Sequence, residues 1–585
     1  MRRPELRELP QDVSALRVDM AHPNRTLIDG CFRERVQVGG EEREFLTYIP
    51  KDLEYCQPCL VVAPPSQADP LEYLCDSGLQ ELAEEKKLFV HLMVCGGKRW
   101  DDGGRDAEFM NAVYVAIQSR DYYVTMQDNI YACGMGDGAV IAHQAAQRMA
   151  SEWSGLFSFG ELTACLNPDE PAGAQEREQG NLELKVYAQK AQLPVWIVAE
   201  GESEAVRSAI DYWKEQNDVD ERPYSGQGAD MIFMPKPVKK TSEVNEERIS
   251  QVRVTLGSDQ VSADSLGMVW DYIGLARRHR SYGKKILRYF KDPIACGATL
   301  HEMTLQGMNR LWYEYVPAAC TPDRKWPLVL CMHGRGGTAE TFFDISCMSA
   351  VAEERKFIAV FPQASIHQQK PGGLKNVLLW SGSYEGEAFD DVTFLRGVVE
   401  DVASRLPVDR GRIYSSGQSS GGIMTDVLCN SAGDLFTACA CWSGMYHPKK
   451  VRREYARTDA IIPTMFLVGI NDRLCTTPEP DSDFPFSLVP ELKVDIVEKL
   501  ERCGLDKADM QTWTQDPITW YCYPDKQGVP MLTMGIVRDM AHANYPEESW
   551  ISYDQFFCHF SKDEQGRLLY RGKVVQSALR RQAEK

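Results

Sequence analysis

Residues 412–423 read RIYSSGQSSGGI. A short strand, Arg412 to Ser415, runs into Gly417-Gln418-Ser419-Ser420-Gly421, and a helix begins near Gly422. This is the pattern G-x-S-x-G of a nucleophile elbow, a strand-to-helix turn that lifts one serine hydroxyl clear of a sheet. The turn is so tight that side chains two residues either side of the serine would collide, which is why glycine flanks it. The helix start that follows places unpaired N–H groups and a positive dipole end where negative charge would develop. An ordinary Ser/Gly turn would need neither the strand before it nor the helix after it.

Working outward, PLVLCMHGRGG at 327–337 is an apolar strand ending in His333-Gly334-Arg335-Gly336-Gly337. With such an elbow, an HG-type loop supplies one backbone N–H to an oxyanion hole, and the residue after the nucleophile supplies the other. Here these are Arg335 and Ser420. The competing reading of a Gly-rich loop after a strand is phosphate binding, but GxxxxGK[ST] is absent and a P-loop would leave Ser419 unexplained.

An acid and then a base should follow the serine. Three histidines do: His447, His542 and His559. His542, in LTMGIVRDMAHANYP, sits where an apolar strand breaks into a loop of small residues. His559, in YDQFFCHFS, reads as part of an aromatic helix with a packing role, and His447 comes early enough to line a pocket rather than act as base. For the acid, IPTMFLVGINDRLC is a buried strand that leaves Asp472 at its C-terminal edge. Asp459 and Asp481 compete but occupy no strand end. The long stretch between Asp472 and His542 carries Phe484, Phe486, Trp513, Trp520 and Tyr521, which with Trp380 would form an acyl or aryl pocket or fill a core. Trp380, Gln418, His447 and Trp520 are therefore the pocket candidates.

HGRGG, DDVTFLRGVV, GQSSGG, GINDRL and MAHANYP together resemble the poly(3-hydroxybutyrate) depolymerase and feruloyl esterase family of α/β hydrolases, over most of residues 298–562. The resemblance implies a triad of Ser419, Asp472 and His542, oxyanion donors at Arg335 and Ser420, no cofactor, and activity on carboxylic esters of small hydroxycinnamoyl, aryl or short-acyl type. The same triad chemistry also serves peptidases and amidases, and a non-catalytic binding scaffold is the reading from another class. Many members of that family are secreted and disulfide-bonded, whereas in this sequence Cys503 and Cys522 need not be bridged.

The first half repeats the plan of the second. VQVGGEEREFLTYIP at 36–50 matches 303–317, PCLVVAPPS at 58–66 matches 327–337, and ELAEEKKLFVHL at 81–92 matches 350–361. DAEFMNAVYVAIQ at 106–118 then matches 390–403, and NIYACGMGDGAVIAH at 129–143 matches 412–426. Alternating strands and helices of this kind predict an α/β class of two tandem α/β-hydrolase domains, 1–285 and 286–585, each a mostly parallel sheet with helices on both faces. The linker is expected near 283–298, with a mobile polar insertion at 216–250 and a frayed basic helix after 575. At the elbow position the first half has Gly136, its loop offers Pro64 and Pro65, which lack an N–H, and no histidine lies between His143 and His279. The first half is thus expected to be non-catalytic, a rigid partner covering the second domain's cleft or forming a homodimer surface; a new role for Asp137 is the weaker alternative.

Bulk properties agree. The 585 residues call for more than one core, and a formal net charge of -19 disfavours a nucleic-acid surface. A local basic run at Lys236, Lys239 and Lys240 reads as a solvated loop. No apolar run approaches the length of a membrane span, the N-terminal stretch MRRPELRELPQDVSALRVDM has no signal-peptide core, and the 18 cysteines show no zinc spacing. The expectation is a cytoplasmic protein with a small-molecule ester substrate and no metal.

Overall fold

The computed structural model describes the chain except residues 1–2, 11–15, 102–103, 121, 124, 127, 170–176, 180–181, 185–190, 237–247, 282–283, 368–376, 382–388, 445–461, 480 and 576–585. Two large mixed sheets dominate it, one of 11 strands within residues 6–256 and one of 10 strands within residues 299–537. In the first, Gly30–Val38 and Glu41–Ile49 pair antiparallel; Phe89–Met93, Cys59–Ala63, Ile130–Met135, Gly155–Phe159, Val195–Ala199 and Val252–Leu256 then follow across the sheet as a parallel set. In the second, Thr299–Leu305 and Met308–Tyr315 pair antiparallel, and Ile358–Pro362, Trp326–Met332, Val408–Gln418, Ala438–Trp442, Thr464–Gly469 and Pro530–Val537 form the parallel set.

The central strands are apolar at successive residues because helices cover both faces. In Cys59–Ala63 every residue is buried, and alternate side chains enter different cores: Val61 lies with Phe109 and Ala142, Leu60 and Val62 with Leu82 and Trp270. In Trp326–Met332 the same alternation sends Val329 and Cys331 to one core and Leu328, Leu330 and Met332 to another.

Some contacts recur at matched positions of the two halves. Arg43 reaches Asp106 at 2.8 Å, and Arg310 reaches Asp391 at 2.7 Å. Asp101 N–H donates to the Asp106 carboxylate at 2.6 Å, as Ser381 N–H does to Asp391 at 2.6 Å. The Trp100 indole donates to Pro64 O at 2.7 Å, and the Trp380 indole to His333 O at 2.8 Å. Each set ties the start of a long helix to the loop after the central strand.

The segment 216–250, expected to be a mobile polar insertion, in part extends the first sheet. Tyr224–Gly226 and Ala229–Phe233 add two antiparallel strands at its edge, around a turn at Gln227 and Gly228, both with positive φ. Ala229, Ile232 and Phe233 are buried there, which holds the hairpin down. Lys236 pairs with Asp218 at 2.7 Å; Lys239, Lys240 and the tail after 575 lie outside the described residues. Ala276–Ser281 and Lys284–Tyr289 form an antiparallel hairpin across the expected 285/286 boundary, and Phe290 N–H returns to Leu275 O. A cut at 285 would split that hairpin, which lies between the last strand of the first sheet, Val252–Leu256, and the first of the second, Thr299–Leu305.

The two halves touch. The Cys56 thiol donates to Gly336 O at 3.2 Å, Asn309 N–H donates to Met20 O at 2.8 Å, and His279 Nε2 lies 3.0 Å from Asp344 Oδ2. Tyr55 and Cys56 pack with Ile366 and Leu378 in one small apolar cluster, with Met126 against it.

Candidate active site

The Val408–Gln418 strand is longer than Arg412 to Ser415, and it delivers Ser419 directly to the helix Ser420–Ser431. Ser419 has φ 54° and ψ -117°, a left-handed conformation costing about 1–3 kcal/mol for a side-chain-bearing residue. Glycine is required on both sides by contact rather than by torsion. A Cβ on Gly417 would come within 2.6 Å of Gly421 C, and one on Gly421 within 2.1 Å of Met332 O. The elbow is locked by Ser419 N–H donating to Trp442 O at 2.8 Å.

Three side chains predicted from the sequence meet here. His542 Nε2 is 2.9 Å from Ser419 Oγ, and its Nδ1 lies 3.1 and 3.0 Å from the two Asp472 oxygens. Asp472 follows the Thr464–Gly469 strand and His542 the Pro530–Val537 strand. These strands are parallel neighbours, so two residues 70 apart in sequence reach one end of the sheet. Burial by itself would raise the Asp472 carboxyl. The His542 imidazole and bonds from His542, Leu474 N–H and the Ser443 hydroxyl outweigh that and hold it below the usual carboxylate range. Asp481, the competing acid, accepts from Lys493 at 3.0 Å and from Asp483 N–H at 2.7 Å. His559 ends a 3-10 turn and sets its ring edgewise to Tyr570, away from the triad geometry. Asp459 and His447 lie outside the described residues.

A cleft beside these groups is lined by His333, Gly334, Arg335, Gly337, Thr341, Phe342, Ile345, Gln418, Ser419, His542, Ala543 and Asn544, with Met126 and Asp128 from the first half. Arg335 is exposed, and Ser420, at the helix start, is buried. Gln418 is thus at the cleft as expected, whereas Trp380 and Trp520 are not among its lining residues. Trp380 is fully buried, with its ring 5.3 Å from that of His333. Trp520 is a sheet residue stacked on Trp513 at 6.1 Å. Phe484, Phe486 and Tyr521 pack with one another in a core on the far strands. Ring size and hydrophobicity are shared by pocket walls and cores, so composition alone did not separate the two.

Several supporting residues went unnoticed in the sequence. His333 is buried and pushed down to about 4, hence neutral; it donates from Nδ1 to Gly334 O at 2.7 Å and accepts Ala364 N–H at Nε2 at 3.0 Å. It shapes the glycine loop rather than moving protons. Asp391 anchors the same region, and its signal was legible, since an acid opens the matched helix in both halves. Glu548 accepts from Tyr545 N–H at 3.0 Å and from the Asn544 amide, bracing the loop that carries His542. Burial raises its carboxyl from 4.5 to about 8, against the pull of those two bonds.

Because the folded state holds that proton more tightly, stability is highest below the unfolded value and falls as pH rises toward 8. Glu548→Gln should therefore flatten the decline of thermal midpoint between pH 5 and pH 8 in this protein. An unchanged pH slope would show that Glu548 does not carry it.

Among the described residues no group of His, Cys, Asp and Glu is arranged to hold a metal, and no helix is long and apolar enough to cross a membrane. Cys503 and Cys522 are both free thiols.

No protein-family model matches the chain. Feruloyl esterase B of Thermothelomyces thermophilus is 29% identical over 151 residues, 25% of this chain and 50% of that protein. Acetylxylan esterase of Coprinopsis cinerea is 30% identical over 120 residues, 20% of this chain and 30% of its own length. Poly(3-hydroxyalkanoate) depolymerase C of Paucimonas lemoignei is 28% identical over 141 residues, 23% and 31% respectively. Among solved structures, an acetyl xylan esterase from Aspergillus awamori aligns over 44% of this chain and 99% of its own, with 16% identity and a TM-score of 0.33. The chain spans about half the length, or less, of these curated relatives. The curated relatives are consistent with the poly(3-hydroxybutyrate) depolymerase and feruloyl esterase family of α/β hydrolases that the chain's motifs resemble.

Proposed function

We propose that the chain is a serine hydrolase of carboxylic esters, with Ser419 as nucleophile, His542 as general base and Asp472 as the acid that orients it. The observation that carries this reading is the continuous arrangement of Ser419 Oγ, His542 Nε2 at 2.9 Å and the Asp472 carboxylate at 3.0 Å from Nδ1. His542 takes the serine proton as Oγ attacks the ester carbonyl, and the imidazolium that forms is stabilised by a carboxylate kept charged. The Arg335 and Ser420 amides hold the oxyanion, each worth about 3 kcal/mol of barrier. His542 then returns the proton to the departing alcohol, and water, deprotonated in turn by His542, releases the acid from the acyl-enzyme. Small hydroxycinnamoyl, aryl or short-acyl esters are the substrates this reading favours, in keeping with relatives named feruloyl and acetylxylan esterases.

In this reading the chain is a tandem of two α/β-hydrolase domains, the first having lost catalysis. The shared strand succession and the repeated Arg–Asp and Trp–carbonyl contacts support it. Gly136 keeps the elbow torsion, φ 56°, without a nucleophile. The Asp137 carboxylate accepts from Ser66 N–H at 2.8 Å and from the Ser66 hydroxyl, so it braces a loop. His143 is buried, accepting the Trp213 indole at 2.9 Å, and pushed down to about 3.

A fluorophosphonate should therefore label wild-type protein at Ser419, and p-nitrophenyl acetate should be hydrolysed in preference to an aminoacyl anilide. Labelling elsewhere, or anilide preference, would refute the assignment. In a Ser419→Ala background, Gly136→Ser should remain unlabelled, because a Cβ there already meets Pro65 Cγ at 3.1 Å and Pro64 and Pro65 carry no N–H to hold an oxyanion; labelling of that double variant would reveal a latent second site.

A further inference from the structure

The cleft at Ser419 is not built by the second half alone. Met126 and Asp128, from the segment leading into the Ile130–Met135 strand, are part of its lining, facing a site whose other walls come from residues 333–345, 418–419 and 542–544. Asp128 is only 4% exposed, and its Oδ1 has no hydrogen-bond partner. Its Oδ2 is 3.8 Å from His279 Nδ1, too long for a hydrogen bond. What holds Asp128 in place is its backbone: its carbonyl accepts Arg278 N–H at 2.8 Å and the Ser154 hydroxyl at 2.7 Å. Burial pushes the Asp128 carboxyl up, and the neighbouring His279 and Arg277 offset this only in part, so an oxygen left without a donor is costly there. Met126 packs on the interface cluster of Tyr55, Cys56, Ile366 and Leu378, and it shares the cleft with Phe342 and Ile345. The cleft lining therefore combines apolar side chains with one acidic residue; the first half supplies that residue, Asp128, and through Met126 part of the apolar side.

We propose that Met126 and Asp128 are substrate-contacting specificity residues of the Ser419 site: Asp128 accepts a hydrogen bond from a hydroxyl of the substrate, and Met126 packs with Phe342 and Ile345 against its apolar part. The substrate class that follows is an ester of a small polyhydroxylated alcohol in preference to a plain alkyl ester. This inference rests on the reading of Ser419 as nucleophile. It gives the non-catalytic half a direct role in substrate choice. The packing of Cys56 and Tyr55 against the second half is what keeps the two residues in register with the serine.

The test compares glycerol monoacetate with propyl acetate, which share the acyl group and the three-carbon alcohol and differ in two hydroxyls. With full-length wild-type protein the ratio of kcat/KM should favour the glycerol ester. In Asp128→Ala that ratio should fall about tenfold or more, chiefly through KM, as expected for loss of a hydrogen bond to a charged group. Asp128→Asn, which keeps an acceptor oxygen, should restore part of the preference. Met126→Ala should raise kcat/KM for p-nitrophenyl octanoate relative to p-nitrophenyl acetate at least fivefold. A ratio unchanged in Asp128→Ala, or equal losses toward both acetates in the Ala and Asn variants alike, would overturn the proposal, the latter assigning Asp128 to the interface. Fluorophosphonate labelling separates the levels. If Ser419 is labelled and the ratio does not move, only this inference fails; if wild-type Ser419 is not labelled, the esterase reading fails first.

Discussion

Ser419→Ala is expected to lower ester turnover at least about a thousandfold while leaving the thermal midpoint near that of the wild type or above it. The rate loss follows because the adjacent hydroxyl cannot stand in for it: Ser420 is buried, with its Oγ 3.5 Å from the backbone N–H of Trp380. What survives should be the residual acceleration that an oxyanion hole and substrate binding supply without a serine. The fold should hold because Ser419 makes its structural bond through the backbone, to Trp442 O, which alanine preserves. The positive φ is already tolerated with a Cβ in place. Turnover of p-nitrophenyl acetate together with a melting curve checks both halves of the expectation. A stable variant with more than a few per cent of the activity would remove Ser419 from its role.

His542→Ala should be as damaging, about ten-thousandfold in kcat, since without the imidazole the serine hydroxyl stays protonated. Asp472→Asn should approach the same loss by a different route. The amide can donate to Nδ1, favouring the tautomer with the proton on Nε2, which faces Ser419 and so cannot accept from it. The pH response of stability reports the pairing of Asp472 with His542. Its folded carboxyl is held below the usual range by His542, so its contribution to stability is present above the ordinary carboxylate value and is lost as pH falls through the lowered one. Asp472→Asn should thus cost stability at neutral pH and progressively less in acid. His559→Ala should leave kcat near wild type and lower the melting temperature, because its ring packs on Tyr570. If His559→Ala abolished turnover and His542→Ala did not, the base would have to be reassigned.

The elbow was legible because local sterics dictate it. Gly417 and Gly421 are specified by atoms within a few residues and by the neighbouring strand end at Met332, and such constraints imprint a spacing on the sequence. Asp472 and His542 were legible one step less directly, as polar residues just past apolar strands, a placement set by the parallel sheet. The pocket was not. Trp380 stood out by size, but its indole serves the His333 carbonyl, and the matching Trp100 does the same for Pro64 in the half that has Gly136 at the elbow position. Trp520, Phe484, Phe486 and Tyr521 fill a sheet edge and a core.

From residues alone came the proposed two-part plan, the proposed serine, acid and base, and the glycine at 136 of the elbow position. These depend on periodicity and on short-range geometry, which survive in a linear string. Only the tertiary structure decided that Met126 and Asp128 stand in the same cleft as Ser419, that Glu548 braces the His542 loop, and that the 224–233 hairpin extends a sheet. Met126 and Asp128 are nearly 300 positions from the serine in a different half, and nothing in their own neighbourhood encodes which surface will face them. That relation is set by how two separately cored sheets pack, through contacts such as Cys56 on Gly336 and His279 on Asp344, and packing between distant surfaces leaves no periodic trace in the chain.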